Sequence, residues 1–112
     1  MVIIMVTKEF EKKKSKLFKH LKNSSELTEE LADEIIDVYG SRGERAIKVI
    51  KNNGVRKEED RWFVQGREDE YEIVQNHCSC YDYVLNIVTG KAGVNMCYHA
   101  LAKTIRQLLN AD

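Results

Sequence analysis

The sequence predicts an α+β fold in which N-terminal helices precede a small β-hairpin and a C-terminal helix. Three observations support this class. Apolar residues recur at helical spacing through the first half of the chain, two short aromatic-rich runs follow, and an apolar helical pattern closes the sequence. The length of 112 residues fits one hydrophobic core. Within it we distinguish an N-terminal arm and helical hairpin, 1–40, from a second segment, 41–112.

The composition is that of a globular chain, with 43% hydrophobic residues, 32% charged residues and a formal net charge of zero. This balance gives no overall electrostatic attraction to nucleic acid or to a membrane surface. Residues 1–6 are apolar, but the run is too short to span a bilayer and has no basic leader. We therefore expect no signal peptide, no membrane partner and an intracellular location, cytoplasmic or, in a eukaryote, nuclear. Thiols stay reduced there.

Thr7 is expected to cap a first helix that runs to about Lys22 and carries seven lysines against two glutamates. Residues 23–25 are expected to cap a second helix, from about Leu27 to Tyr39, whose outer face is acidic. The apolar stripe of the first helix consists of Phe10, Leu17, Phe18 and Leu21. Opposite charges predict an antiparallel hairpin with facing charged side chains. The lysines leave two interpretations open, a solvated face and a phosphate-contacting face.

A third helix is expected from about Glu44 to Asn52, opened by a capping box at Ser41-x-x-Glu44. It is expected to end at Gly54 in the left-handed conformation. Basic residues follow its outer face and continue beyond it. These candidate nucleic-acid-binding residues are Arg42, Arg45, Lys48, Lys51, Arg56 and Lys57.

Residues 61–74 are predicted to form the hairpin, with a turn at 66–70. Trp62, the only tryptophan, is expected to pack between the cysteine-rich segment that follows and the helices. Residues 82–88 are predicted to form a helical turn, and 89–93 a flexible loop. The last helix is expected to start near Cys97, with Leu101, Ile105, Leu108 and Leu109 directed inward.

All three cysteines lie in two tight clusters, Cys78-x-Cys80 and Cys97-x-His99, separated by sixteen residues. Two donor pairs joined by a loop are the usual way to supply the four ligands that zinc prefers. Two alternatives stay open: buried thiols acting as small hydrophobes, and one disulfide with an odd thiol. His77 is expected to point away from the site if Cys78 points into it.

This spacing resembles the SWIM zinc-binding domain. The aromatic strand pair before Cys78, the Asp82-Tyr83 dipeptide and the apolar segment that begins at His99 also fit that family, and the resemblance covers roughly residues 42–109. Tyr81 and Tyr98 depart from it, standing where a proline and a basic residue are common. The resemblance implies a SWIM-type zinc module over 41–112. It would bind one structural Zn²⁺ through Cys78, Cys80, Cys97 and His99.

No arrangement of residues in the sequence indicates catalysis, so we expect a binding module and not an enzyme. Small stand-alone SWIM proteins resemble accessory factors that pair with RecA-type recombinase paralogues in DNA repair. That likeness implies a protein–protein adaptor, with residues 1–39 as the interface to a partner protein or to a second copy in a homodimer. The alternative is a zinc-finger protein that binds nucleic acid directly, if weakly, through the basic residues at 42–57.

Overall fold

The computed structural model describes residues 7–75, 77–80, 82–88 and 96–109. Its elements in chain order are α1 (Lys8–Lys22), α2 (Glu29–Tyr39), α3 (Ser41–Lys51), β1 (Val55–Glu58), β2 (Arg61–Gln65), β3 (Glu70–Ile73), a π-helical turn (Tyr83–Ile87) and α4 (Tyr98–Leu108). The α+β class is confirmed, with helices and an antiparallel sheet of three strands. The predicted arm 1–6, the loop at 89–93 and Tyr81 lie outside the described residues.

The first two helices begin with threonine caps. The Thr7 hydroxyl accepts a hydrogen bond from the Phe10 N–H at 3.0 Å, as expected for α1. The cap of α2 is Thr28, whose hydroxyl accepts from the Leu31 N–H at 3.2 Å. The prediction of a cap within residues 23–25 is wrong. The Ser24 hydroxyl instead donates to the Glu26 carbonyl at 2.7 Å and closes the turn between the helices.

The third helix differs from the prediction at both ends. It starts at Ser41, directly after Gly40, whose φ of 63° suits glycine. Because Ser41 already lies inside the helix, it makes no capping hydrogen bond, and the predicted capping box is wrong. After the helix the left-handed residue is Asn53, with φ of 57°, and not Gly54. Asparagine tolerates this conformation because its short polar side chain costs little there.

The sheet contains one strand more than the predicted hairpin. Its order is β1-β2-β3, and Val55 pairs with Val64, which in turn pairs with Tyr71. Val64 and Ile73 are buried on the side of the sheet that faces the helices. The strand β1 has the charged, solvent-exposed character of an edge strand.

Trp62 does not occupy the place expected for it. Its ring is partly exposed and belongs neither to the buried core nor to the partly buried apolar side chains that pack on that core among the described residues. Trp62 lies opposite Lys57 on β1 and Ile73 on β3, so it shares a face of the sheet with the buried Ile73 but has a lysine as its neighbour on the other strand. The Lys57 ammonium lies 5.5 Å from the ring centroid.

One core extends through both predicted segments. Leu17 and Leu21 of α1 are fully buried in the same cluster as Val64 of β2 and Leu101 and Ile105 of α4. Across this core, α4 packs against α1, α3 and all three strands. No helix among the described residues has both the length and the apolar character that crossing a membrane would need.

The predicted contact of opposite charges between α1 and α2 is present at Lys13 and Asp37, and a hydrogen bond between His20 and Glu34 accompanies it. Lys13 lies 3.6 Å from Asp37, and the His20 ring nitrogen Nδ1 lies 2.8 Å from Glu34. These pairs are partly or largely exposed, so they orient the hairpin and contribute little stability. The packing is apolar, including an edge-to-face contact between Phe10 and Tyr39 at 5.3 Å.

Candidate metal centre

Two chain segments bring four potential metal-binding side chains together. Cys78 and Cys80 lie in the loop that follows β3, directly after a bridge between Val74 and His77. Cys97 is the N-cap residue of α4, and His99 lies in the first turn of that helix. Both segments are anchored by the core, because α4 packs against β2 and β3.

The four donor atoms form a compact buried cluster. One donor atom from each of Cys78, Cys80, Cys97 and His99 lies within 4.8 Å of the others, and all four residues are buried. The Cys78 Sγ and His99 Nδ1 are 3.9 Å apart. All three cysteines are free, so the alternative of a disulfide finds no counterpart in the structure. This cluster could hold a metal ion.

Backbone N–H groups point at two of the sulfur atoms. The Tyr83 N–H donates to Cys80 Sγ at 3.3 Å, and the Ala100 N–H donates to Cys97 Sγ at 3.5 Å. A hydrogen bond to the charged form of a group favours that form. These two contacts therefore favour thiolates, which are the form in which cysteine binds metals.

The His99 ring packs between two tyrosine rings, and one of its two nitrogen atoms has no hydrogen-bond partner among the described residues. It lies between Tyr71, with ring centroids 4.7 Å apart, and Tyr98, at 3.9 Å. Its Nε2 atom is buried and has no hydrogen-bond partner among the described residues. A buried polar atom without a partner is costly and uncommon in folded proteins. The other ring nitrogen, Nδ1, lies 3.9 Å from Cys78 Sγ, in a cluster of donor atoms that could hold a metal ion.

The thiols compete for protons when no cation lies between them. Hydrogen bonding from Cys78 lowers the pKa of Cys80. Hydrogen bonding with Cys80 raises the pKa of Cys78 to about 11, and hydrogen bonding with Cys78 raises the pKa of Cys97. Three thiolates this close repel one another, so they coexist only with a cation among them.

Arg42 anchors the loop that carries Cys80. Its Nε and Nη2 atoms donate to the two carboxylate oxygens of Asp82 at 2.9 and 2.8 Å, and Asn86 donates to the same carboxylate at 2.8 Å. The hydrogen bond from Arg42 holds the pKa of Asp82 below its usual range. This bidentate pair connects α3 to the segment after the first two cysteines.

The six basic residues predicted to contact nucleic acid are dispersed. Arg42 forms an ion pair with Asp82, and Arg56 forms ion pairs with Glu58 at 2.6 Å and Glu70 at 2.8 Å. Lys57 lies beside Trp62, and Lys51 is exposed near the end of α3. Arg45 and Lys48 line a cavity beside α3.

Sequence reasoning did not identify Gly66 and Tyr71 as parts of the site. A Cβ atom on Gly66 would lie 2.8 Å from Tyr71 Cε2 and 2.9 Å from His99 Nε2. Gly66 therefore lets the β2–β3 turn lie directly against the imidazole. The glycine after an aromatic strand was the available signal, although its contact with His99 depends on long-range packing.

Comparison with known proteins gives one informative similarity. An "Uncharacterized protein" from Archaeoglobus fulgidus is 28% identical over 79 residues, which are 70% of this chain and 66% of the relative. The chain thus spans slightly less than two thirds of that relative's length. No family model and no solved structure matches the chain.

Proposed function

We propose that this chain is a SWIM-type zinc module in which Cys78, Cys80, Cys97 and His99 bind one structural Zn²⁺. The observation that carries the proposal is the convergence of these four buried donors from two segments of the chain. Sulfur and imidazole donors suit zinc, and three thiolates with one histidine are a common structural set. Backbone N–H groups donate to two of the sulfur atoms, which suits a centre rich in thiolates.

We also propose that the module is not an enzyme. A catalytic zinc keeps one coordination position for water or substrate, whereas four protein donors fill a tetrahedral shell. When bound, the ion would supply cross-linking between the loop after β3 and the start of α4. The protein residues around it orient the ligands, exclude water and stabilise the thiolates.

The biological role that we propose is an adaptor for a protein partner. Three valines near the metal loop, Val74, Val84 and Val88, are 59%, 54% and 66% exposed, and exposed apolar groups often mark interaction sites. By the family resemblance, the partner would be a RecA-type recombinase paralogue acting in DNA repair. A homodimer through residues 1–39 belongs to the same proposal.

The zinc site is tested first by metal analysis of Cys97→Ser. Purified wild-type protein should contain one zinc per chain. In Cys97→Ser the hydroxyl can still cap α4, as the sulfur does now, but a metal-binding thiolate is lost. We expect the variant to melt at the temperature of the chelator-treated wild type, since structural zinc in finger peptides is worth about 10–16 kcal/mol.

Ser79→Ala provides a matched control, because Ser79 is exposed and lies between two of the ligands. It should retain zinc and melt like the wild type. A Cys97→Ser protein with full zinc content and unchanged melting would show that the site is not structural.

The adaptor role is tested by affinity capture with the zinc-loaded full chain as bait. We expect a recombinase-type protein to be captured by the wild type and lost with Val84→Glu/Val88→Glu, with zinc content unchanged in both. Lys12→Glu/Lys16→Glu on the exposed face of α1 is the control for added charge. If the partner is captured equally well by the valine variant, the interface lies elsewhere. Capture of nucleic acid alone would contradict the adaptor role.

A further inference from the structure

An open cavity of about 490 Å³ lies between α3, the β2–β3 turn and the first turn of α4. The side chains that matter for its chemistry are Arg45, Lys48 and Asn52 from α3 and its end, Arg67 from the turn, and Tyr98 from α4. Its volume falls in the range of small-ligand sites, about 300–1,000 Å³. The cavity is separate from the four metal-binding residues, although Tyr98 packs on His99 at 3.9 Å.

The charged side chains that line this cavity are all positive. Arg45, Lys48 and Arg67 line it, and no carboxylate does. None of the three forms an ion pair with an acidic group in the described part of the chain. Three other arginines of the chain are held by carboxylates, each in a two-pronged contact. Three cations without an ion pair in the described part of the chain therefore line this cavity.

We propose that this cavity binds a phosphate group carried by a nucleotide or by a nucleic-acid strand. Two arginines and one lysine line it, and arginine recognises phosphate oxygens through paired N–H donors. Three cations suit the doubly charged phosphate of a nucleotide, or successive singly charged phosphates of a strand, better than a single carboxylate. The Asn52 amide and the Tyr98 ring add hydrogen-bonding and apolar surface for the rest of a nucleotide.

A neighbouring cavity of about 410 Å³ indicates which side accepts an anion. It shares Arg67 and Tyr98 with the first, but it is also lined by Glu68 and Asp69 and opens toward the metal centre. Its carboxylates would repel phosphate. An anion that reaches this end of the molecule is therefore directed to the side of Arg45 and Lys48.

The experiment titrates the zinc-loaded full chain with inorganic phosphate, AMP, a short labelled single-stranded oligothymidylate and an oligoglutamate peptide. We expect AMP or the oligonucleotide to bind, and Arg45→Gln/Lys48→Gln/Arg67→Gln to weaken that binding by about tenfold or more. Inorganic phosphate should compete. Tighter binding of the strand, with a steep salt dependence, identifies nucleic acid as the source of the phosphate, and equal or tighter AMP binding identifies a free nucleotide.

The matched control is Lys12→Gln/Lys16→Gln/Lys51→Gln, which removes the same charge from exposed positions outside the cavity. It should keep nearly full affinity. Since Arg45 also lies over the Tyr98 ring, with its Cζ 5.9 Å from the centroid, Lys48→Gln/Arg67→Gln provides a second variant that preserves this contact. Equal losses in both triple variants, absence of binding by every phosphate probe, or preferential binding of oligoglutamate would overturn the proposal.

Discussion

Gly66 controls how closely the β2–β3 turn approaches the imidazole of His99. Because an added methyl group would lie 2.9 Å from His99 Nε2 and 2.8 Å from Tyr71 Cε2, Gly66→Ala has to displace the ligand ring or the turn. We expect zinc affinity to fall on the order of tenfold, as it does when groups that orient a ligand are changed. Competition with a chromophoric chelator measures this affinity.

Gly54→Ala is the matched control for that substitution. A methyl group there would lie 2.8 Å from Val49 Cγ1, which is a clash of similar severity with no metal-binding residue among its three nearest atoms. It should lower the melting temperature while zinc affinity stays close to that of the wild type. Equal losses of affinity in the two alanine variants would mean that Gly66 acts through general stability and not through His99.

At the scale of single residues, the sequence identified the candidate ligands, because each pair lies within one short segment. Cys78 and Cys80 share a loop, and Cys97 and His99 share a helix start, so each pair was recognisable from its own segment. The contacts of Gly66 with His99, and of Arg42 with Asp82 forty positions away, depend on how distant segments pack. The spacing of hydrophobic residues along the sequence does not predict such contacts.

Among the elements, β1 was missed because it is an edge strand. Its sequence, Val55-Arg56-Lys57-Glu58, carries three charged residues and shows no run of β-branched or aromatic side chains. Charged edges are common because they discourage pairing with other chains. β1 is held in the sheet by its pairing with β2, in which Val55 lies opposite Val64. The sequence of β1 alone does not predict this pairing.

The connection between α3 and the metal loop is the bidentate pair of Arg42 and Asp82. Their side chains are only 24% and 28% exposed, so water screens the pair weakly. We expect Arg42→Met and Asp82→Asn each to destabilise the zinc-loaded protein by about 1–3 kcal/mol, since each leaves a half-buried partner unsatisfied. Urea unfolding of the two single variants and the double variant gives the coupling energy.

The pair of Arg61 and Glu72 provides the comparison. It has the same two-pronged geometry, at 2.9 Å for both contacts, but lies on the exposed face of the sheet. Its coupling should be clearly smaller, because solvent screens an exposed pair. If the two pairs gave the same coupling, the burial of Arg42 and Asp82 would not explain their role.

At the scale of the whole molecule, the packing of the metal module on the helices depends more on the distribution of core residues than on the charge pattern of the helices. The N-terminal segment contributes a large part of the single core: Phe10, Leu17, Leu21, Leu31, Ile35 and Tyr39. The sequence showed this apolar pattern correctly. It could not show that the stripe of α1 packs on α4 near the other end of the chain. The packing makes the metal module dependent on the helical hairpin.

A chain that starts at Ser41 should therefore fail to fold cooperatively, even with zinc present. Removing α1 and α2 would expose the apolar face of α4, where Leu101 and Ile105 are now fully buried. Each lost Leu-sized contact in a core costs about 2–5 kcal/mol, whereas a whole domain is stable by about 5–15 kcal/mol. Amide NMR dispersion and thermal melting of the truncated chain measure the outcome, with exposed-site Lys16→Ala in the full chain as the intact reference. A truncated chain with dispersed resonances, one bound zinc and a melting temperature near that reference would establish 41–112 as an independent domain.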